Sequence, residues 1–199
     1  MCNFLISVLV SSLIGVGASF FVWWLTFKHW TPKLEFGKTI SKLPTEENKS
    51  KFKYRFKFEN TGKRNIIDIE VIVRLRIRGI KTDFPNNWEV IYLPTSSLDY
   101  KKVAIVRPTS KSRIRPILEI KPYECDYFQK DFIKTKAKKN VLTLDDIMQL
   151  WPDSEFQIMM IGTDEFSGAR KFFESTTFNK NDIVQGHFDK NGVDVIRKK

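Results

Sequence analysis

Apolar positions fall into two regimes along this chain. From Phe4 to Phe27 the sequence FLISVLVSSLIGVGASFFVWWLTF runs 24 residues without a charged side chain. As a helix rising about 1.5 Å per residue it reaches about 36 Å, enough to cross roughly 30 Å of hydrocarbon with some tilt. Beyond it the pattern changes to alternation. Lys51 to Glu59 places Phe52, Tyr54, Phe56 and Phe58 on one face and Lys51, Lys53, Arg55, Lys57 and Glu59 on the other, the period of a half-buried strand. After Asn60-Thr61-Gly62-Lys63, a second alternation sets Ile67, Ile69, Val71, Val73, Leu75 and Ile77 against Asp68, Glu70, Ile72, Arg74, Arg76 and Arg78. The two runs predict a hairpin. With the turn centred on Gly62 and Lys63, Lys57 faces Asp68 and Arg55 faces Glu70, and both apolar sets share one side of a sheet.

Further strands are expected over Trp88 to Leu93, Val103 to Arg107, Arg113 to Ile120, Phe156 to Thr163, Ala169 to Phe173 and Val193 to Arg197, separated by turn-rich stretches such as Pro85-Asn86-Asn87. One soluble helix is expected, Leu144 to Leu150, with Thr143 as N-cap, Asp146 closing a capping box and Pro152 ending it. Lys134 to Lys139 reads as a basic loop. Many short strands with a single helix point to an all-β, antiparallel, immunoglobulin-like sandwich behind one transmembrane helix. The division that follows is 1–27 anchor, 28–50 juxtamembrane linker with one short strand around Leu34 to Ile40, and 51–199 β-sandwich.

Charge sharpens this division. All 34 Lys and Arg and all 23 Asp and Glu of the 199 residues lie after Phe27. A cleaved signal peptide competes with the anchor, but no basic residue precedes the apolar run and it exceeds the usual signal length, which favours a retained helix. Trp23, Trp24 and Trp30 sit where indoles prefer the headgroup level, and Lys28 and Lys33 follow, which places the C-terminal body on the cytoplasmic side. Cys125 has no cysteine neighbour in the body, in keeping with a reducing compartment, and two cysteines exclude a disulfide scaffold. Cys2 at the membrane edge is either an acylation site or an unmodified thiol.

Ser7, Ser11, Gly15 and Ser19, four residues apart, form a small-residue stripe that either packs against a second copy of the helix or is simply tolerated in lipid. The net charge of +11 invites anionic partners. For a body tied to a bilayer these are lipid headgroups before nucleic acid, with Lys28, Lys33, Lys38 and Lys42 as candidates against the reading of a merely hydrated linker. The predicted hairpin neutralises much of the basic stripe and leaves Arg74, Arg76 and Arg78 as a candidate anion-binding end, competing with a plain solvated sheet face.

Catalytic patterns are missing from the sequence. His29 and His187 are isolated, no G-x-S-x-G, Walker or dinucleotide motif occurs, and Cys125 has no metal-sharing neighbour. Asp164 and Glu165 precede Ser167-Gly168 and read as turn residues. Asp189 to Asp194 resembles a calcium loop but lacks its distal Glu, so a hairpin turn is expected. No catalytic residue, metal or cofactor is expected.

The C-terminal part resembles the cytoplasmic domain of inward-rectifier potassium channels in Gly162-Thr163-Asp164-Glu165, Ala169-Arg170, Asp182-Ile183, Gly186 and Phe188. A weaker likeness lies in Val106-Arg107-Pro108 and Ser112-Arg113. The resemblance implies an immunoglobulin-like sandwich held under a membrane and assembly around a symmetry axis. It does not extend to a pore, because the chain has one apolar helix and no Gly-Tyr-Gly-type filter. The expectation is a non-enzymatic, single-pass membrane-anchored β-sandwich binding or assembly module at the cytoplasmic membrane surface. Its partners would be the bilayer, a second copy through the helix, and a further protein or ligand. Two other readings stay open: an oligomerising, membrane-perturbing effector, and an extracytoplasmic envelope or adhesion module.

Overall fold

A computed structural model of the chain describes residues 2–26, 30–45, 52–81, 84–96, 102–110, 116–138, 142–189 and 192–197. The apolar run forms α1 (Cys2–Trp24), long and apolar enough to cross a membrane, with none of its spanning window buried against the body. The strands follow in chain order: β1 (Leu34–Phe36), β2 (Ile40–Pro44), β3 (Phe52–Asn60), β4 (Ile66–Arg78), β5 (Trp88–Leu93), β6 (Thr95–Ser96), β7 (Lys102–Val106), β8 (Ile117–Ile120), β9 (Glu155–Asp164), β10 (Arg170–Glu174), β11 (Ile183–Phe188) and β12 (Val195–Arg197). Between β8 and β9 lie α2 (Asp131–Ala137) and α3 (Leu144–Leu150).

Two sheets share one core in a sandwich-like arrangement. One runs β12-β11-β2-β3-β8-β6 with β1 also on β3; the other runs β10-β9-β4-β5 with β7 also on β4. Tyr54, Phe56 and Phe58 of the first and Ile69, Val73, Leu75, Ile77, Phe156 and Ile158 of the second are buried together in the core cluster. Both alternating runs thus bury the apolar face read from the sequence, with one local exception in β4. Asp68 takes a left-handed conformation at φ 50° and a bulge breaks the register between Ile67 and Glu70. The phase slips there, so Ile66 is buried and Ile67 only half-buried.

The expected hairpin does not form. β3 pairs with β1, β2 and β8, and β4 pairs with β5, β7 and β9. Two strands with one apolar face each can bury those faces side by side in one sheet or against each other across two, and alternation does not distinguish these. The pairing partners change accordingly. Arg55 lies beside Glu119 of β8, 3.4 Å away, rather than Glu70. Lys57, expected on a solvated face opposite Asp68, is 6% exposed and donates from Nζ to the Asp189 carbonyl at 2.7 Å.

The segment expected as a linker carries sheet structure. β1 and β2 both pair with β3, and β2 is also the parallel neighbour of β11, so the first sheet is mixed rather than purely antiparallel. Part of the expected basic loop is helical: α2 is anchored by fully buried Ile133 and ends at Lys138 in a left-handed conformation. The capping box of α3 is present, with Thr143 Oγ1 accepting from the Asp146 N–H at 3.2 Å and Asp146 Oδ2 accepting from the Thr143 N–H at 3.0 Å.

Candidate functional site

The end of the body nearest α1 is built around two buried polar side chains. Asn60, the last residue of β3, is 1% exposed. Its Oδ1 accepts from the backbone N–H groups of Lys33 (3.3 Å) and Gly62 (3.0 Å), and its Nδ2 donates to the carbonyls of Arg64 (2.7 Å) and Val106 (3.2 Å). Every donor and acceptor position of the amide is used. Three separate segments are tied together by it: the stretch after α1, the β3–β4 connection and the end of β7. Gly62 makes the close approach possible, because a Cβ there would lie 2.4 Å from the Lys33 nitrogen and 2.5 Å from the Thr31 oxygen.

Arg64 makes the link to the helix. Its Nη2 donates to the Thr26 carbonyl at 2.5 Å and its Nη1 to Asp164 Oδ2 at 3.3 Å. The pair is buried, with side-chain exposures of 10% for Arg64 and 2% for Asp164. Asp164 also holds the turn after β9: it accepts from the Phe166 N–H (3.1 Å) and the Ser167 hydroxyl (2.8 Å), and its carbonyl accepts from the Gly168 N–H (2.8 Å). Burial alone would push the Asp164 carboxyl up. The bonds from Ser167 and the Phe166 N–H, together with the Arg64 guanidinium, outweigh it and hold the carboxyl below its ordinary value. The Arg64 guanidinium lies 4.2 Å from the centre of the Phe166 ring.

The structure sorts the residues singled out from the sequence. Trp23 and Trp24 end α1, stacked near Phe20 and Phe21. Trp30 is exposed and bonds back from its N–H to the Leu25 carbonyl at 3.1 Å. Lys33 is exposed at the helix exit, while Lys28 lies outside the described residues. Lys42, in β2 opposite Tyr54, lies away from the helix exit, ion-paired with Asp145 of α3 and over the Phe52 ring. Lys38 is exposed at the β1–β2 turn, where its backbone N–H donates to Asp194 Oδ1 at 2.7 Å. Ser7, Ser11, Gly15 and Ser19 are all exposed on α1.

One arginine of the stripe meets an acid: Arg76 pairs with Glu155 at 3.0 Å and lies over Trp88, whereas Arg74 donates to the neutral Gln157 side chain at 2.5 Å and Arg78 to the neutral Asn86 side chain at 3.2 Å. The neutralising acid comes from β9, which the hairpin picture had no reason to place there. The stretch from Asp189 receives the Lys57 ammonium on its first carbonyl, where a calcium loop would direct oxygens at a metal. Among the described residues no group of three or more His, Cys, Asp or Glu is placed to hold a metal ion. A cavity of about 370 Å³ between α3 and the turn at Lys180–Asp182 is lined by Met148, Gln149, Pro152, Ser154, Asn179, Lys180 and Asn181, without a carboxylate. Cys125 is buried, which pushes its thiol above the ordinary value.

The sequence alone gives Asn60 and Gly62 as parts of a hairpin turn, gives Arg64 no role and gives Asp164 only its turn role. The available signal was a lone Asn-x-Gly-x-Arg after an alternating run, ordinary in any loop. Comparison with protein-family models and with curated proteins finds no match for this chain.

Proposed function

We propose that this chain is a single-pass, membrane-anchored binding or assembly module without enzymatic activity, its immunoglobulin-like body seated against the cytoplasmic face of the bilayer. The observation that carries the reading is the bond from buried Arg64 to the Thr26 carbonyl, two residues beyond the end of an unburied apolar helix. A cleavable leader has no reason to be hydrogen-bonded to the mature core through an ion-paired arginine. Trp23, Trp24, Trp30 and Lys33 around the exit support the cytoplasmic side. The immunoglobulin-like, inward-rectifier-like component draws support from where its motif residues fall: Gly162 to Asp164 end β9, Arg170 opens β10, and Ile183, Gly186 and Phe188 lie in β11. Self-association through α1 draws support from the exposed stripe at Ser7, Ser11, Gly15 and Ser19, and is tested by whether Gly15→Leu with Ser19→Leu dissolves oligomers in mild detergent.

The reading as a whole is tested on membranes from cells expressing the full chain. It predicts that high salt and urea leave the protein in the pellet and detergent releases it. It also predicts that a cysteine at exposed Lys180, in a Cys2→Ser chain whose Cys125 is buried, reacts with an impermeant maleimide only after the cells are opened. Release by salt would contradict the anchor, and labelling of intact cells would contradict the sidedness.

A further inference from the structure

The surface around the helix exit combines features that a plain loop end does not need. Phe166 stands at the tip of the turn after β9 and is 69% exposed, although the turn beneath it is fixed by Asp164 and Ser167. Around it, exposed Lys33, Lys63 and Arg107 make no ion pair among the described residues. All three are held at this end by backbone: Lys33 and Lys63 through the bonds joining 31–33 to 61–63, and Arg107 between Val106, bonded by Asn60, and Pro108, bridged to Asn60. Of the acids at this end, Asp164 is paired with Arg64, Glu59 accepts from the Thr109 hydroxyl, Glu165 is bonded by Asn65 Nδ2, and Glu35 and Glu165 are exposed. The rim therefore sets Lys33, Lys63 and Arg107 beside an aromatic tip, with Glu35 and Glu165 as exposed acids at the same end.

We propose that this rim docks the body onto the bilayer that α1 crosses, with the Phe166 ring among the headgroups and Lys33, Lys63 and Arg107 on the phosphates of anionic phospholipids. The proposal rests on the membrane-anchored reading above. Three observations choose lipid as the occupant. The Thr26–Arg64 bond keeps the rim within a few residues of the end of the apolar span. Lys33, Lys63 and Arg107 offer cations that an anionic leaflet attracts over roughly 8 Å at physiological salt. An aromatic ring flanked by cations matches the amphipathic chemistry of that layer, as the exposed Trp30 nearby also does.

The test uses the full chain with Cys2→Ser and Phe166→Cys, carrying an environment-sensitive fluorophore at residue 166, in vesicles of phosphatidylcholine alone or with added phosphatidylglycerol. Docking predicts a blue shift and a several-fold rise in emission in the phosphatidylglycerol vesicles. High salt should reverse it, and so should the surface variant Lys63→Gln with Arg107→Gln. The unlabelled parent with the same two Gln substitutions reports whether that variant folds, by its unfolding midpoint. Emission that is the same in both lipids would overturn the proposal, and so would a shift reproduced in phosphatidylcholine vesicles by inorganic phosphate. Salt and urea washing of the same vesicles separates the two failures. A chain that stays bound with a water-exposed probe removes the docking and keeps the anchor, whereas a chain that washes off removes the anchor.

Discussion

One strand, β3, places a buried polar side chain at each end of the body, and the two ends are built on different principles. At the helix exit, Asn60 meets four backbone groups and stands next to the buried Arg64–Asp164 pair. About 20 Å away along the strand, Tyr54 is fully buried; its hydroxyl accepts from the Leu144 N–H at 3.0 Å and donates to Asp145 at 3.1 Å. Beside the Lys42–Asp145 pair, the Tyr54 end is packed by an apolar cluster of Phe128, Ile133, Leu142, Leu144, Ile147, Met148 and Trp151. Hydrophobic burial tolerates small losses there, because many contacts share the energy. The exit end depends on a few directional bonds whose loss leaves charge or amide buried without a partner. The comparison teaches that the body is glued at one end and latched at the other, and the latch is where the helix joins.

The largest expected effect is at the latch. Asp164→Ala leaves the Arg64 guanidinium buried without its carboxylate, and the cost is on the order of 3 kcal/mol, read as a lowered unfolding midpoint of the full chain in micelles. Asn60→Ala follows at about 2 kcal/mol, since the Lys33 and Gly62 N–H groups lose their acceptor in a buried setting. The same measurement should show it, together with faster proteolysis near residue 33. Gly62→Ala forces a Cβ against the Lys33 backbone and is expected to cost about 1 to 3 kcal/mol as an overpacked site. Smallest is Tyr54→Phe, about 1 kcal/mol, because the apolar packing of the ring is kept, the Leu144 N–H loses its acceptor, and Asp145 loses the hydroxyl but keeps Lys42.

The two ends also answer pH in opposite directions. Asp164 is held below its ordinary value of about 3.8, so its contribution is complete above that pH and is lost as acid brings the solution down through its folded value. Tyr54 is pushed upward, first by burial and then by the neighbouring Asp145 charge, so its contribution is complete below the ordinary phenol value of 10.0 and declines as pH rises past it. Acid should therefore loosen the latch first and base the glued end first. Residue-resolved hydrogen exchange at the two pH extremes distinguishes them, and Asp164→Asn should remove the acid arm alone.

The glued end was the more legible in the sequence. Alternation marked the core faces of β3 and β4, and Thr143-x-x-Asp146 marked the cap of α3, because burial and capping leave periodic or fixed-spacing signals. The latch left none. Asn60 works through four backbone partners, two in the connection that follows it and two far off at Lys33 and Val106, and Arg64 works through Thr26 and Asp164, one hundred residues further along the chain. No local pattern encodes such a meeting. The same limit explains the missed pairing: Lys57 and Arg55 have alternating neighbours either way, and only the choice between one sheet and two decides whether they meet Asp68 and Glu70 or Asp189 and Glu119.

The fastening of α1 to the body rests on the bond from Arg64 to the Thr26 carbonyl. It is tested most directly by the distance between spin labels at Val22 on the helix and Lys63 on the rim, measured by pulsed electron paramagnetic resonance on the full Cys2→Ser chain in lipid nanodiscs. A single narrow distance distribution that broadens in Arg64→Ala, while the fold of the body persists, is the predicted result. A broad distribution in the parent chain, unchanged by Arg64→Ala, would contradict it.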